Sequence, residues 1–349
     1  MKIVVAPDSF KECLPAGQVA QAISSAILEL YPDADVTAIP LADGGEGTLD
    51  VLTGAIKAQI NTAIVHDPLG REVNARYGIK GETAFIEVAE ACGMQLLPKT
   101  ERNPILASSR GAGELIMDAY RVGCRHFIIG LGGTATCDGG SGMMSVPGIQ
   151  GVLEKCVFEI LCDVQAPFVG PKGAARVFAP QKGASPQQVE MLEERMLGVA
   201  ALIESQTGVN VTSLPCAGAA GGIAGAFMAY AKAQVSSGVE KIISLCGFHE
   251  AIRDSDLIIT GEGRSDAQTL MGKVPFGVLK HSDGIPVALV SGRIEDHEVL
   301  KSAGFSQLLE ISPRNLPIES ALNPETTVRN INSTVRNLVV NDKQHTKIF

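Results

Sequence analysis

Tryptophan is absent from the 349 residues, and aromatic side chains make up only 4% of them. With few large rings available, the core must be built from Ala, Val, Ile and Leu. That is the make-up of α/β proteins whose helices cover both faces of a sheet. Metal-binding cysteine patterns are missing too. The eight cysteines form no CxxC pair and no tight zinc-site spacing, so they read as structural thiols of a protein in the reducing cytoplasm. The six histidines form no HxxxH or HxH pair. Excess positive charge is also lacking. A net charge of −9 argues against nucleic acid and against membrane surfaces, although a local basic pocket could still take a small anion.

The opening MKIVVAPDSF enters a short apolar run ended by Pro-Asp, which reads as a strand and not as a signal peptide. LPCAGAAGGIAGAFMAY, starting at Leu214, is nearly uncharged. It is rich in Ala and Gly rather than Leu and Ile, so a tightly packed helix entered through a glycine turn is expected, not a membrane span.

Glycine, at 38 residues, is plentiful and clustered. Six of the thirteen residues in GLGGTATCDGGSG (130–142) are glycine, directly after the strand-like HFII. Such a turn can aim backbone N–H groups at an anion or let two backbones touch, and the sequence leaves both readings open. The same form, an apolar run, a glycine turn and then helical periodicity, recurs along the chain. IVVAPDS leads to a helix carrying Val19, Ile23, Ile27 and Leu30 on one face, and VTAIPLADGGEG leads to TLDVLTGAI. DLIITGEG leads to GRSDAQT, and IPVALVSG to RIEDHEVLKSAG. Strand–helix alternation implies parallel sheets with ligands beyond the strands' carboxyl ends. Residues 61–235 differ, with turn punctuation, short β-type runs and one acidic helix, PQQVEMLEERML. They read as a domain inserted into one formed by residues 1–60 and 236–349.

Three glycine turns carry carboxylates: ADGGEG (Asp43, Glu46), TCDGGSG (Asp138) and TGEGRSD (Glu262, Asp266). Each carboxylate could cap the helix that follows, or help hold Mg²⁺ together with phosphate oxygens. Asp163, in CDVQAPF after VFEIL, is a cap or turn residue on one reading and a metal ligand or general base on the other. Basic residues in glycine turns (SSRGAGE, PQKGAS, GEGRSD, MGKVP), with Lys11 after the first strand, offer cations for phosphate or carboxylate. Neither a GxxxxGK[ST] loop nor a GxGxxG fingerprint is present.

PDSFKECLPAGQVAQAI, PLADGGEGTLDVL, SSRGAGELI, GLGGTATCDGGSGM, CDVQAPFVGPKGA, FAPQKGA, AGAAGGIAGAFMAY and LIITGEGRSDAQTLMGKVPFGV follow one another in order. Together they closely resemble the bacterial type I glycerate kinases, from residue 1 to roughly 295. The resemblance implies a Rossmann-like parallel-sheet domain with an inserted mixed α/β domain and the active site in the cleft between them. It implies transfer of the ATP γ-phosphoryl group to D-glycerate, to give 2-phosphoglycerate, in a cytoplasmic monomer or homodimer. ATP and Mg²⁺ are the expected cofactors.

On this resemblance Asp163 and Lys11 are expected to be catalytic. Asp8, Ser9, Lys11, Arg71, Arg110 and Thr134 are expected to hold substrate. Gly44, Gly45, Glu46, Gly132, Gly133, Asp138, Gly139, Gly140, Gly261, Glu262, Gly263 and Arg264 are expected around the nucleotide phosphates, and Asp163 and Asp266 at the metal. The chain departs from the family pattern at Cys137, where an Asn is usual, and in GEGRSD, where GEGRID is usual. A few tens of residues expected between GGSGM and CDV are also missing, and only MSVPGIQGVLEKCVFEIL stands there. A stretch left out of the numbering is expected rather than a true deletion. The competing readings are a kinase for another short hydroxy acid, or an ATP-binding protein without turnover if the shortening is real.

Overall fold

The computed structural model describes residues 1–338. Its strands are β1 (Lys2–Val5), β2 (Asp35–Ala38), β3 (Gln59–His66), β4 (Glu72–Lys80), β5 (Thr83–Glu87) and β6 (His126–Gly130). They continue with β7 (Val157–Leu161), β8 (Gln234–Ser236), β9 (Leu257–Ser265), β10 (Val287–Ile294) and β11 (Gln307–Glu310). The chain divides into two compact units, one of residues 1–43 with the C-terminal part from 239, the other of residues 44–238.

The first unit carries a parallel five-stranded sheet ordered β11-β10-β9-β1-β2. Both chain ends therefore share one sheet, as expected: Ile3 lies opposite Leu257 and Val5 opposite Ile259. Ile3, Val5, Ile259, Ala288 and Val290 form one core with the helix Ala16–Leu30. Val19, Ile23 and Ile27 of that helix are buried, as the periodicity predicts. Leu30, expected on the same face, is exposed because it ends the helix beyond the sheet's cover. From β1 the chain moves to β2 on one side, while β9, β10 and β11 extend on the other. Strand order reverses between β1 and β9, and their carboxyl ends open a crevice there.

The second unit is built on a mixed sheet ordered β3-β4-β5-β6-β7-β8. β3, β4 and β5 run antiparallel, and β5 to β8 are parallel. Phe127 and Phe158 stack on neighbouring strands with ring centroids 4.6 Å apart, the main aromatic contact in an aliphatic core. The acidic segment forms the helix Pro186–Thr207, started by a Ser185–Gln188 capping box. The glycine-rich run from Leu214 turns through Ala220, Gly221 and Gly222, all at positive φ, into the short helix Ile223–Tyr230. No helix among the described residues is long and apolar enough to cross a membrane.

Two expectations need correction. The helix Thr48–Ile56 belongs to the second unit, where it packs on β4 and β5, so residues 44–60 do not complete a βα unit with β2. Buried Leu49 and Leu52 face the inserted sheet, a tertiary preference that helical periodicity alone does not reveal. The chain also runs continuously through the shortened region. The full sequence has no further residues at this point, so the shortening belongs to the chain itself, and a tight turn at Gly148 (φ +83°) joins the helix Ser141–Met144 to the helix Ile149–Lys155.

Candidate functional site

At the β1/β9 crevice of the first unit, Asp8 follows β1. Its backbone N–H donates to the Gly261 carbonyl at 2.8 Å, which ties the end of β1 to β9. The Asp8 carboxylate is buried and accepts the Ser9 N–H at 2.7 Å. Burial and the neighbouring Asp43 push its pKa up to about 8, against the pull of Lys11 and of Ser9. Lys11 lies 3.5 Å from Asp43, and that carboxylate raises the ammonium's affinity for its proton. Its side chain stays 58% exposed, so it can reach a ligand.

Glu262 sits in β9 and is buried. It accepts from Ser265 Oγ at 3.0 Å and Thr269 Oγ1 at 2.6 Å, and it pairs with Lys273 at 3.2 Å. Burial raises its pKa although Lys273 opposes the shift. Gly261 is glycine because a Cβ there would lie 2.0 Å from the Val290 carbonyl oxygen, and Gly263 faces the Phe10–Lys11 backbone. Arg264 pairs with Glu295 at 2.8 Å and lies 3.6 Å from Asp266.

These residues open onto a cavity of about 550 Å³. Its walls carry five basic side chains (Lys11, Arg264, Lys273, Arg293, Arg314) against three acidic ones (Asp8, Glu262, Glu295). Phe10, Ile311, Leu316, Ile318 and Leu322 make an apolar side. A cavity with excess positive charge and an apolar wall suits an anion attached to a flat or greasy body.

In the second unit both readings of the 130–142 glycines can be placed. Gly130 and Gly132 meet the backbone of Gly44 and Gly45; a Cβ on Gly132 would lie 2.4 Å from the Gly45 Cα. Gly139 and Gly140, both at positive φ, abut Val199 and Ala226. For Gly44, Gly45 and Gly132, then, the structure shows close backbone approach, Gly139 meets the Gly221–Gly222 backbone, and Gly140 is crowded by the Ala226 side chain. The amides of Gly47 and Leu49, beside Glu46, are taken by the Glu87 carboxylate at 3.2 and 3.1 Å. Burial raises the Glu87 pKa to about 7. Asp138 is a buried knot that accepts from Ser109 N (2.8 Å), Ser109 Oγ (2.8 Å), Gly140 N (3.1 Å) and Gly142 N (3.0 Å). These four bonds tie the loop to Ser109 and to its own glycines. Gly133 and Thr134 are pinned to the backbone at Cys92–Met94.

The remaining expected residues separate. Asp266 is a cap: Oδ1 accepts from Gln268 N, and Thr269 completes a reciprocal box. With its other oxygen facing Arg264, it does not fit a Mg²⁺ ligand. Asp163 fits better in chemistry, as a strand-end carboxylate after β7 whose Oδ2 accepts the Gly238 N–H at 3.1 Å. Arg71 is committed to Asp67 (2.7 Å) and Glu101 (2.8 Å), and Arg110 to Glu114 (2.8 Å). Among the described residues no cluster of three metal-capable side chains is present. Mg²⁺ needs only one or two carboxylates when phosphate and water complete its shell. Glu87 has no site role in the sequence, and Lys182 and Lys273 have no specific one. Glu87 was visible only as the carboxylate ending the apolar run TAFIE, and the two lysines only as cations in glycine turns.

The parallel sheet holds buried carboxylates and a basic cavity at its switch point, and the mixed sheet carries a knotted glycine loop, an α/β arrangement with room for a small ligand. The family model described as the glycerate kinase family matches residues 3–152 and 144–341, the two matches meeting where the chain is shortened. The chain is 40% identical to a glycerate 2-kinase of Escherichia coli K12, over 89% of this chain and 91% of that one. It is 37% identical to a glycerate kinase of Bacillus subtilis 168, over 96% and 98%. A crystal structure assigned as glycerate kinase 2 from Salmonella typhimurium LT2 superposes with a TM-score of 0.79 at 38% identity, covering 97% of this chain and 96% of that one. The chain belongs to the glycerate kinase family and is an enzyme of that class.

Proposed function

We propose that the enzyme transfers the γ-phosphoryl group of ATP to D-glycerate and releases 2-phosphoglycerate. Family membership supports phosphorylation of glycerate. The observation that carries the reading further is the buried Asp8 beside Lys11 and Asp43, at the mouth of a cavity richer in basic than in acidic groups. Phosphoryl transfer passes through a loose transition state, so the protein mainly aligns donor and acceptor and neutralises phosphate oxygens. Lys11 and Lys273 supply mobile positive charge, and Gly261 and Gly263 let the chain approach closely. Asp8, with a pKa near 8, can hold the proton of an acceptor hydroxyl at its carboxylate.

Mg²⁺ would be held by Asp163 with phosphate oxygens, and it supplies neutralisation of the charge developing there. Asp266 is not part of this proposal. Arg71 and Arg110 stay proposed substrate contacts only through guanidinium nitrogens not spent on their carboxylate partners. Phosphorus NMR of the product made from ATP and D-glycerate tests the reading: 2-phosphoglycerate supports it, and 3-phosphoglycerate alone removes the regiochemistry.

A further inference from the structure

Lys182 ends the short turn Pro180–Lys182 and is only 3% exposed. Its ammonium donates to the Thr136 carbonyl at 2.7 Å and to Thr134 Oγ1 at 3.2 Å, both neutral acceptors. No ion pair forms at this ammonium among the described residues. The acidic groups that face it are Cys92, Cys137 and Asp138. Burial pushes the two thiols up to about 12 and about 11, so both are neutral near pH 8. Asp138 already serves four donors of its own loop. Glu193 and Arg195 act on the same pocket through Cys137, and Glu193 gives one oxygen to the Gly170 N–H at 2.6 Å. Thr136 Oγ1 and Glu193 Oε2 are buried with no hydrogen-bond partner.

An ammonium taken out of water with no counter-ion is costly, and a third proton without an acceptor adds to that cost. A buried ammonium with neutral partners is poised to receive an anion. We propose that Lys182 is a positioning residue of the kinase reaction, the buried charge that holds Thr134 and the 133–136 loop for an anionic reactant, either the glycerate carboxylate or a phosphate of the nucleotide. This rests on the proposed glycerate kinase reading and adds to it a residue, a charge and a proton. Burial lowers the Lys182 pKa to about 8. An anion drawn to the loop raises it again, so binding near pH 8 takes up a proton.

The experiment is calorimetric binding at pH 8 in two buffers of different ionisation enthalpy, with D-glycerate alone and with Mg²⁺–ATP alone as separate probes. The expected result is an uptake of about half a proton with one of the two probes, which identifies the anion, since a group with pKa near the working pH is half protonated. Lys182→Met should abolish the uptake and raise KM for that same reactant about tenfold, with the fold intact by circular dichroism. Lys182→Arg keeps a fixed charge, so it should retain binding without uptake and flatten the decline in kcat/KM above pH 8. Buffer-independent enthalpies for both probes in the wild type, or an unchanged uptake in Lys182→Met, overturn the proposal. If the wild type binds with uptake that Lys182→Met removes, yet does not turn over D-glycerate, the inference stands and the function reading falls.

Discussion

Replacing Asp138 by Ala removes a buried acceptor that four donors share. Ser109 Oγ can rotate its proton to another acceptor while it still accepts from Met143 N at 3.0 Å. The backbone N–H groups of Ser109, Gly140 and Gly142 cannot, and at 1% exposure of Asp138 water has no room to replace the carboxylate. Each orphaned buried donor costs about 1–3 kcal/mol. Losses within one network do not add fully, so Asp138→Ala should destabilise the second unit by about 3–5 kcal/mol. Asp138→Asn keeps one oxygen but loses the charge, and should cost about 1.5–3 kcal/mol. The assay is hydrogen exchange by mass spectrometry, with a peptide covering 139–146 compared with one from the helix Ala16–Leu30. Exchange in the first peptide should quicken at least a hundredfold in Asp138→Ala, while the second is unchanged. Unchanged exchange at 139–146 would show that the four bonds contribute nothing net and that the loop is held by packing alone.

Asp163→Asn should lower turnover on the order of a hundredfold with a near-native melting temperature, whereas a cap alone would cost about 1 kcal/mol and leave the rate intact. Asp8→Asn should remove most activity, and the acid limb of the wild-type kcat/KM profile should climb as pH rises toward about 8, because the carboxylate form is the competent one; a profile already flat below pH 8 rejects that role. Glu87 binds its proton more tightly when folded, with a pKa near 7 against an ordinary 4.5, so its contribution to stability is lost as pH rises from about 4.5 through 7. Urea midpoints followed by circular dichroism should therefore fall less between pH 5 and 8 in Glu87→Gln than in the wild type. EDTA should abolish ATP consumption, and added Mg²⁺ should restore it; equal rates with and without metal would remove the cation.

Much of the scaffold was legible because strand and glycine signals are local. KIVVAP, DLIITGEG and IPVALVSG announced adjacent parallel strands, and a helical period marked Val19, Ile23 and Ile27. Membership of TLDVLTGAI was not legible, since its buried leucines fit either sheet until tertiary packing chooses. The glycine loop was read in both senses, and its backbone contacts with Gly44 and Gly45 depend on residues more than eighty positions away. Asp138 and Asp266 were ambiguous for the same reason: a carboxylate in a glycine turn looks alike whether it caps or binds. Glu87 carries no motif and Lys182 stands out only as one cation among several in glycine turns; what sets both apart is burial, which a single sequence does not display.

The most direct measurement is ADP formation by the purified, folded enzyme with Mg²⁺–ATP, with and without D-glycerate. ADP should appear only when D-glycerate is present and in equal amount to phosphorylated glycerate. Background-level ADP release with D-glycerate, from protein that still binds Mg²⁺–ATP, would contradict the proposed reaction.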